Sequence, residues 1–251
     1  MKSISDDYIL ITGASSGIGR SAAISLSKNN KLILHGRNKN NLDATLDLCG
    51  GDGHILWNYD LKNKDQLSIS LKSIIDDNAI SVSKFIHSAG MTTILPARNL
   101  SHKIASDIMA VNCFSALEII SVLLKKNINQ KKLNNIVFIS SIWSKFGAKG
   151  YTLYCASKGA LDSAMRALAL ELAPSIRVNS ILFGAIETSM AKSSFADEVI
   201  KKNFKDTYPL GTGKVEDASE IIRYLLSNKS KWVTGQQIIV DGGKTINMSP
   251  K

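Results

Sequence analysis

Short apolar runs, each followed by a stretch with helical spacing, constrain this chain more than any other feature of its sequence. Residues 8–12, 31–35, 84–87, 135–139, 177–182 and 237–240 are near-continuous in apolar side chains, with almost no alternation. A strand of that kind is buried on both faces. Between the runs lie helical periods. Ile18, Ala22 and Leu26 are spaced i, i+4, i+8; Leu67, Leu71, Ile74 and Ile75 repeat the pattern, as do Leu161, Ala164, Met165, Leu168 and Leu172. Parallel strands need crossover connections, so this alternation predicts an α/β fold, a parallel sheet wound on both faces with helices. No internal repeat or low-complexity linker divides it, and residues 1–251 read as a single domain.

The composition agrees with an ordinary enzyme. The chain has 251 residues, 44% of them hydrophobic, which is enough to bury a core without staples. Cys49, Cys113 and Cys155 form no CxxC pair, which argues against a disulfide framework and against a metal site, and for a reducing, cytoplasmic setting. No uninterrupted apolar run is long enough to span a membrane. Asp6 and Asp7 stand where a secretory leader needs bases. The net charge of +10 comes from 25 lysines and 6 arginines spread along the chain, beside 18 asparagines. That dispersal fits A+T-rich coding better than a nucleic-acid surface, and it leaves an anionic small molecule or cofactor as the expected partner.

Strand one runs into Thr12-Gly13-Ala14-Ser15-Ser16-Gly17-Ile18-Gly19, and a helix follows. Gly13 permits a tight turn, Gly17 lets backbone approach a pyrophosphate, and Gly19 lets helix and strand pack closely. The helix N-terminus then offers free N–H groups to the phosphates. A dinucleotide is the expected ligand. Strand two ends in His35-Gly36-Arg37-Asn38, with no acid to receive a ribose 2′-OH. Arg37 can instead pair with a 2′-phosphate, which favours NADP(H) over NAD(H). Ser16, where a base before Gly17 would strengthen that reading, is the counter-signal.

The loop is TGxxxGxG, and with other positions it resembles the short-chain dehydrogenase/reductase family from Ile9 to Gly243. Asp60-Leu61 matches the acid–apolar pair beside the adenine. Tyr154-Cys155-Ala156-Ser157-Lys158 matches YxxxK, Ser141 stands thirteen residues before Tyr154, and Asn112 matches a helical asparagine. Pro209-Leu210-Gly211, Val233-Thr234-Gly235-Gln236 and Val240-Asp241-Gly242-Gly243 resemble the closing segments. Two departures stand out: His87-Ser88-Ala89-Gly90 replaces the usual Asn-Asn-Ala-Gly, and Phe183-Gly184 replaces Pro-Gly. For His87 a hydrogen-bonded strand end is expected rather than catalysis or metal binding.

The resemblance implies a Rossmann-type, seven-stranded sheet in the order 3-2-1-4-5-6-7. It implies a cofactor held by Gly13, Ser15, Ser16, Gly17, Ile18, Gly19, Arg37, Asp60, Leu61, Ala89, Gly90, Asn112, Tyr154, Lys158, Gly184, Ile186 and Thr188. It also implies hydride transfer between the nicotinamide and a carbonyl or secondary alcohol, with Tyr154 as acid/base. Tyr154 and Lys158, at i and i+4, face the same way on a helix, and the ammonium is expected to draw the phenol down toward working pH. Ser141 would bind the substrate oxygen, Lys158 would also hold the ribose, and Asn112 would bind a relay water. Met91, Trp143, Phe146, Tyr151 and Met190 are candidates for the substrate pocket, and residues 189–206 for its lid. Tyr151 has Cys155, not a lysine, four residues on. Lys145 and Lys149 point to an anionic or carrier-linked substrate such as a 3-oxoacyl carrier. A sugar-nucleotide epimerase or dehydratase and a non-catalytic NADP sensor are the alternatives. Apolar excess on the helices near 119–124 and 161–172 implies a homo-oligomer, a tetramer in such relatives.

Overall fold

The structure, a computed structural model, describes residues 7–188, 190, 202, 204 and 206–247. Seven parallel strands form one sheet: β1 (Asp7–Thr12), β2 (Lys31–Gly36), β3 (Ile55–Asn58), β4 (Ser81–His87), β5 (Asn135–Ser141), β6 (Arg177–Phe183) and β7 (Gln237–Val240). Their order is β3-β2-β1-β4-β5-β6-β7, as expected. The helices are α1 (Gly17–Ser27), α2 (Lys39–Leu46), α3 (Leu67–Asp77), α4 (His102–Met109), α5 (Ser115–Leu124), α6 (Lys126–Asn129), α7 (Thr152–Leu172) and α8 (Val215–Leu226).

Each apolar run became a strand because both of its faces are covered. Tyr8 and Leu10 of β1 join one core with residues of α3, α5 and α7, whereas Ile9 and Ile11 join the other with residues of α1 and α8. All seven residues of β5 are buried. β3 is the strand that the apolar runs do not announce. Only Trp57 of its four residues is buried, and the pairing of Ile33 through Gly36 with Ile55 through Asn58 holds it in place.

Asn112 sits on a helical stretch, as its surroundings predict, but the local geometry differs. Residues Ala110–Phe114 form a π-turn between α4 and α5, so the backbone carbonyls there are shifted out of the ordinary helical ladder. The whole stretch His102–Leu124 is long and apolar enough by composition to cross a membrane, which a search for uninterrupted apolar runs overlooks. Half of an apolar 18-residue window within it is buried inside the molecule, and α5 packs on α3. Strands β1 and β4 are neighbours whose connections leave in opposite directions. A crevice therefore opens at their carboxyl ends, where a doubly wound sheet binds its ligand. Most of the expected lid, 189–206, lies outside the described residues.

Candidate active site

The β1–α1 turn is built by two glycines whose side chains would have no room. Gly13 has φ +70°, and a Cβ there would stand 2.7 Å from the backbone nitrogen of Ala89. A Cβ on Gly19 would overlap the Gly13 carbonyl. Gly19 is thus buried in the first turn of α1 and acts through packing, while Gly13, Ser15, Ser16, Gly17 and Ile18 line the cleft. Ser16 caps α1 without a side-chain hydrogen bond, so the first N–H groups of that helix keep their capacity for an anion. These features fit a pyrophosphate. The bound nicotinamide dinucleotide would be held by this turn, by Arg37, Asp60 and Leu61 beyond it, and by Ala89, Gly90, Gly184, Ile186 and Thr188 on the other side, all of which line one cleft of about 660 Å³.

At the far side of the turn Arg37 is exposed and lines the cleft with Asn38 and Asn41. Among the described residues it pairs with no carboxylate. A second arginine, which sequence reasoning did not single out, braces this region. Arg20 donates to Thr45 Oγ1 at 2.9 Å, to the Ser15 carbonyl at 2.5 Å and to the Asn41 carbonyl at 3.1 Å. It locks the glycine turn to α2.

At the other end, Ser141, Tyr154 and Lys158 converge. Ser141 ends β5, and its hydroxyl accepts from the Trp143 N–H at 3.2 Å. Tyr154 and Lys158 lie on consecutive turns of α7, and the lysine Nζ stands 5.8 Å from the phenol ring centre. The expected direct effect of the ammonium on the phenol is not what the geometry gives. Lys158 donates instead to the carbonyl of Ile139 at 2.8 Å. Burial pushes the Tyr154 phenol up to about 12, with Cys155 and Tyr151 adding to the rise and a hydrogen bond with Ser141 opposing it. Burial also pulls Lys158 down to about 8, against the opposing pull of Asp162 and Cys113. Desolvation penalises the charged form of each group, and here it outweighs the Ser141 hydrogen bond at Tyr154 and the pull of Asp162 and Cys113 at Lys158.

Asn112 is held by its side chain. Both amide N–H donors and one lone pair of its oxygen are engaged within the protein. Oδ1 accepts from Met91 N at 2.7 Å, and Nδ2 donates to Met91 O and to Ser157 Oγ, both at 2.9 Å. The side chain clamps the strand that leaves Gly90 onto α7, close to Lys158: a Cβ on Gly90 would stand 3.6 Å from both Asn112 Oδ1 and Lys158 Nζ. Its backbone carbonyl lies in the π-turn, where it also meets His87. His87 is fully buried, with Nδ1 2.9 Å from Thr12 Oγ1, the strand-end bond expected of it. Burial holds its imidazole down to about 3, and Lys158 and His35 lower it further.

Of the expected substrate residues, Met91, Trp143, Tyr151 and Met190 line the cleft. Tyr151 packs edge-on against Tyr154, with ring centres 6.2 Å apart. Phe146 does not line it. The residue is exposed, because its N–H closes the turn after β5 on Ile142 O and its side chain faces outward. Lys145 and Lys149 are exposed and also outside the lining. Phe204, from the expected lid, lines the cleft; Thr92 and Tyr208 also line it and were not foreseen, and Tyr208 accepts from the Ala185 N–H at 3.1 Å. The Pro209-Leu210-Gly211 motif next to Tyr208 is the sequence signal that could have found it.

A doubly wound sheet, a glycine turn at its switch point and a Ser–Tyr–Lys set in the same cleft define a nicotinamide-dependent oxidoreductase. A family model described as enoyl-(acyl carrier protein) reductase matches residues 13–245, and the chain belongs to the short-chain dehydrogenase/reductase family. It is 30% identical to the L-xylulose reductase of Mus musculus over 237 residues, 93% of this chain and 94% of that one. A 4-hydroxyisoleucine dehydrogenase complexed with NADH superposes with a TM-score of 0.89 at 28% identity, covering 96% of this chain and 99% of the other. A chain from Agrobacterium tumefaciens described as a 2-deoxy-D-gluconate 3-dehydrogenase, with NADP bound, gives 0.86 at 25% identity, covering 98% of each.

Proposed function

We propose that this chain is an NADP(H)-preferring ketone reductase and alcohol dehydrogenase in which Tyr154 is the acid/base. The observation that carries the reading is the meeting of Tyr154, Ser141 and Lys158 in the cleft that also reaches the Gly13 turn and Arg37. The bound nicotinamide supplies the hydride for the carbonyl carbon. The chain supplies the rest. Ser141 donates to the carbonyl oxygen as charge develops on it. Tyr154 delivers the proton, and a phenol held up at about 12 is fully protonated at neutral pH, which favours the reductive direction. Lys158 holds the ribose and charges the surroundings of the phenol, and the Asn112 carbonyl receives the relay water that reprotonates the pair.

The preference for NADP(H) is supported by Arg37, which lies beside the cleft and among the described residues pairs with no carboxylate. The NADH-bound and NADP-bound relatives show both cofactors in this fold. For the substrate, the walls formed by Met91, Trp143, Tyr151 and Tyr208 are mainly apolar, and the likeness to L-xylulose reductase favours a compact, uncharged ketone such as a ketose. The outward-facing Lys145 and Lys149 weaken the carrier-linked alternative. We read the protein as a cytoplasmic homo-oligomer. Phe114, Leu170 and Trp232, at 55%, 85% and 97% exposure, are the surfaces that assembly would cover. A concentration-independent monomer mass in sedimentation overturns that part.

The test is consumption of NADPH and of NADH with a panel of ketopentoses, aryl ketones and short 3-oxoacyl thioesters. Reduction of ketopentoses in preference to the thioesters, and with NADPH in preference to NADH, supports the reading. Reduction of none of the panel with either cofactor overturns it.

A further inference from the structure

One buried carboxylate takes part in no step above. Asp162 lies one turn beyond Lys158 on α7, so the two side chains share a helix face. It is 1% exposed. Its Oδ2 accepts from the hydroxyl of Ser140, itself buried, at 2.9 Å. Its Oδ1 is buried with no hydrogen-bond partner among the described residues. A carboxylate desolvated in this way is costly unless a nearby cation answers it, and a half-satisfied interior carboxylate in a native fold calls for an explanation.

The nearby cation is Lys158. It is buried, and its one described hydrogen bond goes to the Ile139 carbonyl. The groups that face it can be named element by element. From α7 come Tyr154 and Asp162; from the π-turn, Cys113; from β4, His87; from β5, the Ile139 carbonyl. Tyr154 and His87 are uncharged at neutral pH, the first held up to about 12 and the second held down to about 3. Burial pushes the Cys113 thiol up, which keeps it protonated. Asp162 is therefore the carboxylate of the set. Its second tie leads to Ser141 as well, because Ser140 is the preceding residue of β5.

We propose that Asp162 is a positioning residue of this site: its buried carboxylate keeps the Lys158 ammonium charged and, through Ser140, holds the end of β5 that carries Ser141 against α7. The proposal deepens the reading of Lys158 as part of the reacting set and rests on it. A neutral Lys158 would neither hold a ribose hydroxyl as a cation nor stabilise a phenolate, so the carboxylate sets the pH range over which the set can work. No bond is made or broken at Asp162.

The experiment reads the lysine directly, in the full-length protein without added nucleotide. The Lys158 side-chain NMR signal is assigned by its loss in Lys158→Gln and followed against pH. In the unsubstituted protein it should titrate near pH 8. In Asp162→Asn the midpoint should fall by about one pH unit or more. In Ser140→Ala, which removes the hydrogen bond and keeps the charge, it should hold within a few tenths of a unit. Asp162→Ser, a second neutral replacement, should lower the Lys158 midpoint in the same way, and that arm stands even if Asp162→Asn does not fold. An unmoved Lys158 midpoint in the folded neutral variant, or an equal fall in Ser140→Ala, overturns the proposal. None of these readouts needs turnover, so a failure to find a reducible ketone is a separate result.

Discussion

Lys158 donates to the carbonyl of Ile139 at 2.8 Å, and so reaches from α7 to β5 rather than to Tyr154, its neighbour one turn back. The lysine therefore ties the helix that carries the phenol to the strand that carries Ser141. Proton traffic at the site belongs to the pair, not to either member alone. The first proton leaves the pair near pH 8, where Lys158 titrates. Carbonyl reduction should fall as pH rises through that region, because the pair has lost the proton that reduction consumes. Initial rates of reduction at saturating cofactor between pH 6 and 10, read on an order-of-magnitude scale, check this. A reduction rate that climbs with pH contradicts it.

Tyr154→Phe removes the proton donor and keeps the ring. Turnover should drop by roughly 10²–10⁴-fold, with cofactor affinity near that of the unsubstituted protein. Tyr151→Phe, on the ring packed edge-on against it, should retain most activity. Steady-state kinetics of the two variants side by side decide the matter. An inactive Tyr151→Phe with an active Tyr154→Phe would sink the acid/base assignment.

Arg37→Ala should weaken NADPH and leave NADH nearly unchanged, because the side chain lines the cleft and, among the described residues, pairs with no carboxylate. A hydrogen bond to a charged group contributes about 1.5–3 kcal/mol, so the loss for NADPH should be roughly 10–100-fold in Kd. Fluorescence titration with both reduced cofactors reads it. An equal loss for both means that Arg37 does not meet the 2′-phosphate.

Acid should destabilise the fold before most carboxylates are protonated. Burial holds His35 down to about 4 and His87 down to about 3, both from an ordinary 6.5. Between those values the unfolded chain binds protons that the folded chain refuses. Stability is therefore full above pH 6.5 and is lost as pH falls through that window. Each histidine contributes on the order of a few kcal/mol to the loss. Urea midpoints from pH 7 to 4 should fall, and His87→Asn should flatten the slope. A slope unchanged in that variant would rule out the His87 contribution.

Gly19→Ala should destabilise the chain by roughly 1–3 kcal/mol, because the added Cβ overlaps the Gly13 carbonyl and the backbone must move. The same shift displaces the turn that faces the cofactor, so NADPH affinity should fall with stability. Thermal melts with and without nucleotide measure both effects.

Much of this protein could be read along the chain, because the signals are local. An unbroken apolar run is a strand buried on both faces, and residues 8–12 and 135–139 could be little else. Gly13, Gly17 and Gly19 report backbone demands that lie within a few residues of themselves. Tyr154 and Lys158 share a face because four residues make about one helical turn. Other features belong to the fold alone. β3 has one buried residue and exists through its pairing with β2. The Asn112 amide became a clamp because Met91 and Ser157, 21 and 45 residues away, meet it. The phenol rose where a lysine nearby in sequence promised a fall, because desolvation is set by everything packed around a group and proximity along a helix is not. Spacing states which residues can meet; packing decides which of their lone pairs and charges are left to act, and that depends on contacts between segments far apart in the chain.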